Sequence, residues 1–135
     1  MNDFNAAIIE EFRTHGGRVG GPFEGAQLLL LTSTGAKSGQ PRTTPVVYLE
    51  DGENLVIFAS KAGAPTDPAW YRNLLADPSA SVEVGTDTLT VRARVAEGEE
   101  RERLYARQVA RMPQFADYQA KTTRRIPVVV LERAG

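Results

Sequence analysis

The chain has 135 residues, 41% hydrophobic and 24% charged, with no cysteine and a formal net charge of −1. That length and composition suit one self-contained globular domain rather than a disordered chain. The lack of cysteine excludes disulfides, thiolate metal sites, iron–sulfur clusters and thiol nucleophiles, and the near-neutral charge gives no global pull toward nucleic acid or anionic lipid.

Phe4, Ile8, Ile9 and Phe12 fall at helical spacing behind the capping candidates Asn2 and Asp3, which predicts an amphipathic helix over 3–14. Its polar face carries Glu10 and Glu11, so its expected role is a lid on a core rather than a membrane anchor. The same acids stand where an export signal needs basic residues, and no apolar run approaches the length of a membrane span. The expected location is the cytoplasm, with docking of this helix at the inner membrane face as the less supported alternative. His15 is the single histidine and lies in the glycine-rich connection over 15–25, where it reads as an exposed loop residue rather than a base or metal ligand.

From residue 26 the periodicity changes. Residues 26–34 form an apolar run with β-branched ends, and Thr43 to Glu50 follow as a second strand. The turn Asp51-Gly52-Glu53 leads into a third, Leu55 to Ser60. Asp67-Pro68 predicts a helix over 67–77, with the aspartate as cap and the proline in the first helical position. Residues 81–85 and 89–95 read as a second hairpin around Gly85-Thr86-Asp87. A charged helix over 98–112 comes next, and 113–121 either continues it or begins another. The last strand, Ile126 to Glu132, is apolar throughout and should be central. Six strands linked mostly by hairpins should curl and close, so the expected fold is α+β, mainly β: a six-strand split β-barrel with peripheral helices. The whole chain, 1–135, is one domain, with a helix and loop over 1–25 and the barrel over 26–132.

The segment Thr32 to Pro45 crowds hydroxyls together with Gly35, Gly39, Lys37 and Arg42. Hydroxyls, amides freed by glycine and two cations are the donor types that cradle an anion. It is not a nucleotidase phosphate loop, because Gly35 stands two residues before Lys37 and a strand rather than a helix follows. Standing alone, it reads equally well as a polar turn. Ser60-Lys61 ends the third strand with another cation, and Asp67 to Asn73 follows closely. The predicted hairpin register sets Pro45 opposite Phe58 and Thr43 opposite Ser60, so Arg42 and Lys61 come to one end of the barrel beside a helix N-terminus. Three cations and flat side chains at one rim suit a long anionic ligand with an aromatic head, although Trp70 alone reads more readily as core.

Three stretches, LLLLTSTGAKSGQPRTTPVVYLEDG, ASKAGAPTDPAWYRNLLADP and FADYQAKTTRRIPVVVLE, resemble the deazaflavin-dependent nitroreductase family, actinobacterial reductases that bind coenzyme F420 in a split barrel related to FMN-binding proteins. The likeness runs from about residue 26 to 132. It implies that Ala36, Lys37, Ser38, Arg42, Thr43 and Thr44 grip the phosphate and part of the acidic tail of the cofactor. It implies that Pro45, Val46 and Val47 line the deazaflavin, with Phe58, Ala59, Ser60 and Lys61 opposite, and that Ala69, Trp70, Tyr71, Arg72 and Asn73 close over it. Family members noted for reducing bulky nitroaromatics carry tyrosines where this chain has Met112 and Phe115; Tyr118 is kept. Methionine and phenylalanine cannot donate a proton, so efficient nitroreduction is not expected, and the pair reads as an apolar wall for the substrate or as core.

The implied activity is hydride transfer from reduced F420 to a small electron-poor acceptor such as a quinone, an enone or a nitro compound. It needs no protein nucleophile and no metal. Tyr118 or water supplies the proton, and Thr43 and Ser60 offer hydrogen bonds to the developing anion. Two alternatives remain at this point: an FMN-binding split-barrel oxidoreductase, which would need fewer cations, and a protein that carries F420 without turnover. Nothing in the sequence separates an oligomer interface from the core.

Overall fold

The computed structural model describes residues 3–18 and 27–134. Asn2, the connection over 19–26 and the side chain of Phe4 lie outside the described residues. The elements are α1 (Asp3–Thr14), β1 (Leu28–Thr34), β2 (Pro41–Asp51), β3 (Asn54–Phe58), α2 (Ala69–Ala76), β4 (Ser79–Val84), β5 (Asp87–Val95), α3 (Gly98–Arg111), α4 (Gln114–Lys121) and β6 (Val128–Arg133), with a short 3-10 turn at Lys61–Gly63. The strands close into one antiparallel barrel in the order β1-β2-β3-β6-β5-β4. Closure leaves no bare edge, the outcome expected of six strands this short. No described helix is long and apolar enough to cross a membrane.

Side-chain alternation along the strands sorts the apolar residues into three clusters. Leu29, Leu31, Val46, Tyr48, Leu55, Ile57, Val82, Val91, Val129 and Leu131 fill the barrel, and Trp70 and Leu74 of α2 join them. Leu28, Leu30 and Val47 point the other way and are covered by Ile8, Ile9 and Phe12 of α1. Val56, Phe58, Val128 and Val130 lie under Leu104 and Tyr105 of α3 and Phe115 of α4. Each large side chain fully buried in this way contributes roughly 1.5–3 kcal/mol, so α1 is held by its apolar stripe rather than by helix propensity.

The β2–β3 register differs from the expected one. Tyr48 stands opposite Ile57, two residues from the partner that the predicted pairing assigned it. The loop is Gly52-Glu53, closed by Asp51 and Asn54, because Gly52 (φ +61°) takes the first loop position, where a two-residue hairpin demands positive φ. A shift of two leaves every side chain on its expected face but alters which residues meet. Pro45 pairs with Leu30 and Thr43 with Thr32, both on β1, and β3 ends at Phe58 before Ser60 is reached. The 113–121 region forms a separate helix, and α2 starts at Ala69 with Pro68 at the N-cap rather than in the first turn.

Candidate functional site

Antiparallel pairing brings the start of β2, the end of β3 and the start of β6 to one end of the barrel. Two loops and α2 crown that end. The first loop, between β1 and β2, is a compact turn in which Gly35 N donates to Gln40 O (2.8 Å) and Gly39 N to Gly35 O (2.9 Å). A Cβ on Gly35 would come within 2.6 Å of Ser38 Oγ and 3.3 Å of Gln40 O, so a larger residue there would push the Ser38 hydroxyl out of the turn. Ser38 Oγ accepts from Gln40 N (3.2 Å) and Arg42 Nη2 (3.4 Å), which keeps Arg42 against the turn.

The second loop runs from Ala59 to Pro68. Lys61 has φ +47°, left-handed for a residue with a side chain, and its Nζ donates to Thr66 Oγ1 at 3.2 Å. Gly63 (φ +80°) is pressed against α4, where an added Cβ would lie 2.9 Å from Tyr118 O. Arg124, just ahead of β6, holds this loop by donating to the carbonyls of Ala59 (3.0 Å), Ser60 (2.8 Å) and Ala64 (2.9 Å) and to Asp67 Oδ1 (2.9 Å). Arg72 of α2 donates to Asp67 O at 3.1 Å.

The two loops meet through α2. Asn73 Oδ1 accepts from Ala36 N (2.9 Å) and its Nδ2 donates to Ser33 Oγ (3.3 Å), so the buried amide pins the β1–β2 turn to the helix. Thr32 and Thr43 share a hydroxyl–hydroxyl bond of 2.9 Å across the first two strands. One hydroxyl donates in that bond, and the proton of the other is not engaged in it.

Charge is distributed unevenly. Arg13, Arg94, Arg103, Arg107 and Arg124 each have a carboxylate partner. Among the described residues Lys37, Arg42, Lys61 and Arg72 have none, as is also true of Arg92, Arg111, Lys121 and Arg133, and the first four are exposed around the crowned end. Four cations without acids, beside the Ser38 and Thr43 hydroxyls, are the donor types that an extended polyanion would need. A phosphodiester followed by carboxylates, as in F420, matches that set; the single terminal phosphate of FMN would leave part of it unused.

Several residues assigned to the same site from sequence are buried or spent on contacts within the protein. Phe58 is 4% exposed under α3 and α4, and Ala59 is fully enclosed in the barrel, so on this loop Ser60 and Lys61 are the accessible members. Val46 points into the barrel whereas Val47 packs on the α1 side, because neighbours on a strand face opposite ways. Pro45 shares the Val47 face together with Thr43, and Thr44 shares that of Val46. Trp70 is a core residue, meeting Tyr71 edge-to-face with ring centres 6.4 Å apart. The Asn73 side chain is spent inside the protein. Ala69 and Arg72 are exposed and Tyr71 is half-buried, its phenol pushed up by burial and by Asp67.

On the neighbouring α4, Phe115 is 5% exposed and packs on Phe58 (5.8 Å between centroids), Tyr105 (6.4 Å) and Tyr118 (5.0 Å). The Tyr105 hydroxyl donates to Phe115 O at 2.6 Å, and burial raises its pKa, so it stays protonated. Met112 is half-buried, its sulfur 3.3 Å from Gln108 Nε2. Phe115 is therefore a core residue, and Tyr118 is the half-buried phenol at the end of the aromatic row. His15 is exposed at the end of α1, as read from sequence. The described residues contain no cluster able to hold a metal ion. Arg124 and Gln119 escaped the sequence reading; the only hint was a pair of arginines immediately before an apolar strand.

A closed six-strand antiparallel barrel with exposed cations at one end is the architecture of a split-barrel protein. The chain belongs to the F420H(2)-dependent quinone reductase family, whose model matches residues 7–133. An F420H(2)-dependent quinone reductase of Mycobacterium tuberculosis is 41% identical over 128 residues, covering 90% of this chain and 85% of that protein. Among solved structures, an F420-H2 dependent reductase (FDR-A) superposes with a TM-score of 0.73 at 43% identity, over 78% of this chain and 94% of its own. A domain-swapped dimer superposes with a TM-score of 0.75 at 40% identity, over 94% and 92%. The cofactor is F420, and the expectation of an F420H2-dependent oxidoreductase in a split barrel holds.

Proposed function

We propose that this protein reduces a quinone, and that the crowned end of the barrel is where cofactor and acceptor meet. When bound, reduced F420 supplies a hydride. The chain's own residues bind, orient and protonate. Lys37, Arg42 and Lys61, with Ser38 and the backbone of the β1–β2 turn, grip the phosphate and acidic tail; several charge-assisted contacts of about 1–3 kcal/mol each are needed for tight binding. Thr43 and Ser60 hold the oxygen on which negative charge develops, and Tyr118 donates the proton that completes the hydroquinone. Ala69, Tyr71 and Arg72 supply the α2 side of that site. Met112, half-buried beside the aromatic row, forms its apolar wall.

The observation that carries this reading is the set of four exposed cations without carboxylate partners at one end of the barrel, in a chain that matches the family over residues 7–133. The test is fluorescence titration with F420 and with FMN, for the wild type, Lys37→Ala and Arg42→Ala, at two ionic strengths. F420 should bind more tightly than FMN, and each substitution should weaken F420 binding by about tenfold, less so at high salt. Unchanged F420 affinity in both variants refutes the site.

A further inference from the structure

The Arg124 side chain makes four hydrogen bonds at this end of the barrel, yet it faces into the protein rather than toward the rim. Its side chain is 15% exposed. Nε donates to Ala64 O, Nη2 to Ser60 O, and Nη1 to both Ala59 O and Asp67 Oδ1, all between 2.8 and 3.0 Å. Those acceptors span the whole loop that follows β3. Ala59 and Ser60 lie past the end of the strand, where the ladder no longer satisfies every carbonyl, and Asp67 leads directly into α2. The loop also carries a left-handed Lys61 (φ +47°), a conformation that side-chain-bearing residues keep only when their surroundings impose it.

The main chain of Arg124 is fixed as well. Its carbonyl accepts from Gln119 Nε2 at 2.8 Å, and Gln119 Oε1 accepts from Ile126 N at 3.0 Å. Gln119 is the neighbour of Tyr118 on α4. Gly63 closes the same circuit from the other side, its Cα lying so near Tyr118 O that a Cβ would collide. The loop bearing Ser60 and Lys61, the start of α2 and the helix bearing Tyr118 are thus joined through one residue.

We propose that Arg124 is a positioning residue of the cofactor site: its planar guanidinium sets Ser60, Lys61 and the start of α2 at the spacing from Lys37 and Arg42 that one anionic ligand spans, while its backbone keeps Tyr118 in register with them. This rests on the cofactor-site reading above. Lysine is no substitute, because a single ammonium cannot serve three carbonyls and a carboxylate lying in different directions around one plane.

The test uses full-length Arg124→Lys and Arg124→Ala beside Lys37→Ala, Arg42→Ala and wild type. F420 affinity is read by fluorescence well below each variant's unfolding midpoint, and kcat and KM are read with menadione at saturating reduced F420. Arg124→Lys, which keeps the charge, should weaken F420 binding by about tenfold and lower kcat, because losing such a set of charged hydrogen bonds displaces the loop. A lowered midpoint with F420 affinity within about twofold of wild type overturns the proposal, since Arg124 would then serve the fold alone. Failure of Arg124→Lys to fold does the same; if only Arg124→Ala fails to fold, the lysine variant decides. Should Lys37→Ala and Arg42→Ala both bind F420 like wild type, the cofactor site itself is wrong; should they weaken it while Arg124→Lys does not, only the role of Arg124 falls.

Discussion

Asn73 Oδ1 lies 2.9 Å from the amide nitrogen of Ala36, and through that bond α2 holds the β1–β2 turn in place. Both ends of the Asn73 amide are used and the group is buried, so Asn73→Ala leaves a backbone N–H and the Ser33 hydroxyl short of a partner. The expected loss of stability is about 1–3 kcal/mol, read by urea denaturation. F420 affinity should fall too, because Lys37 and Ser38 ride on the freed turn.

Gly63 adopts φ +80° against the Tyr118 backbone. Gly63→Ala adds strain at a left-handed position and a collision with α4, with an expected cost of about 1–3 kcal/mol in thermal or chemical unfolding. A variant as stable as wild type would show that the 3-10 turn and α4 can part without penalty.

Phe115 sits among Phe58, Tyr105 and Tyr118. Phe115→Ala should cost about 3–5 kcal/mol, as large cavities in aromatic clusters do. The quinone KM of the protein that remains folded should change little, in contrast to Met112→Ala, where the half-buried side chain borders the proposed acceptor wall. A raised KM in the Phe115 variant alone would exchange those two roles.

Tyr118→Phe keeps the ring that packs 5.0 Å from Phe115 and removes only the hydroxyl. Quinone turnover should drop by roughly 10–100-fold while F420 affinity holds, the pattern of a lost general acid. Undiminished kcat would assign the proton to water.

Glu83 accepts two hydrogen bonds from Arg13, at 3.0 and 2.7 Å, tying α1 to β4. The guanidinium holds the Glu83 carboxyl below its ordinary pKa. A depressed folded-state value means that the stabilisation is complete above the unfolded-state value and disappears as pH falls through the folded one. For an exposed pair it amounts to only about 0.2–1 kcal/mol. Glu83→Gln should therefore unfold slightly below wild type at pH 7, and the gap in melting temperature should close in acid below the carboxylate range. A gap that persists there would mean that glutamine disturbs packing instead.

The strands, the helices and the closed barrel were legible because their signals are local. Alternating or continuous apolar runs, glycine at each hairpin and charged amphipathic stretches each act within a few residues. The rim cations were legible for a similar reason: Lys37, Arg42 and Lys61 flank strands that a short hairpin must bring to one end. The register was not. Whether Gly52 takes the first or second loop position changes no side chain's face, so the apolar pattern is indifferent to it, and only the assembled ladder decides that Pro45 meets Leu30 instead of Phe58.

By itself, then, the amino-acid order determined a barrel and a group of cations at one of its ends, since both follow from residue type and short-range spacing, while the cofactor class came from the resemblance of three stretches to a known family. Tertiary structure alone decided which motif residues reach solvent. Ala59 and Trp70 belong to a stretch that carries the resemblance and Phe58 adjoins it, yet packing encloses all three, while Arg124, more than fifty residues along the chain from the loop it holds, becomes that loop's brace. Contacts between segments so far apart depend on how three apolar clusters pack around one barrel. No local periodicity encodes that arrangement.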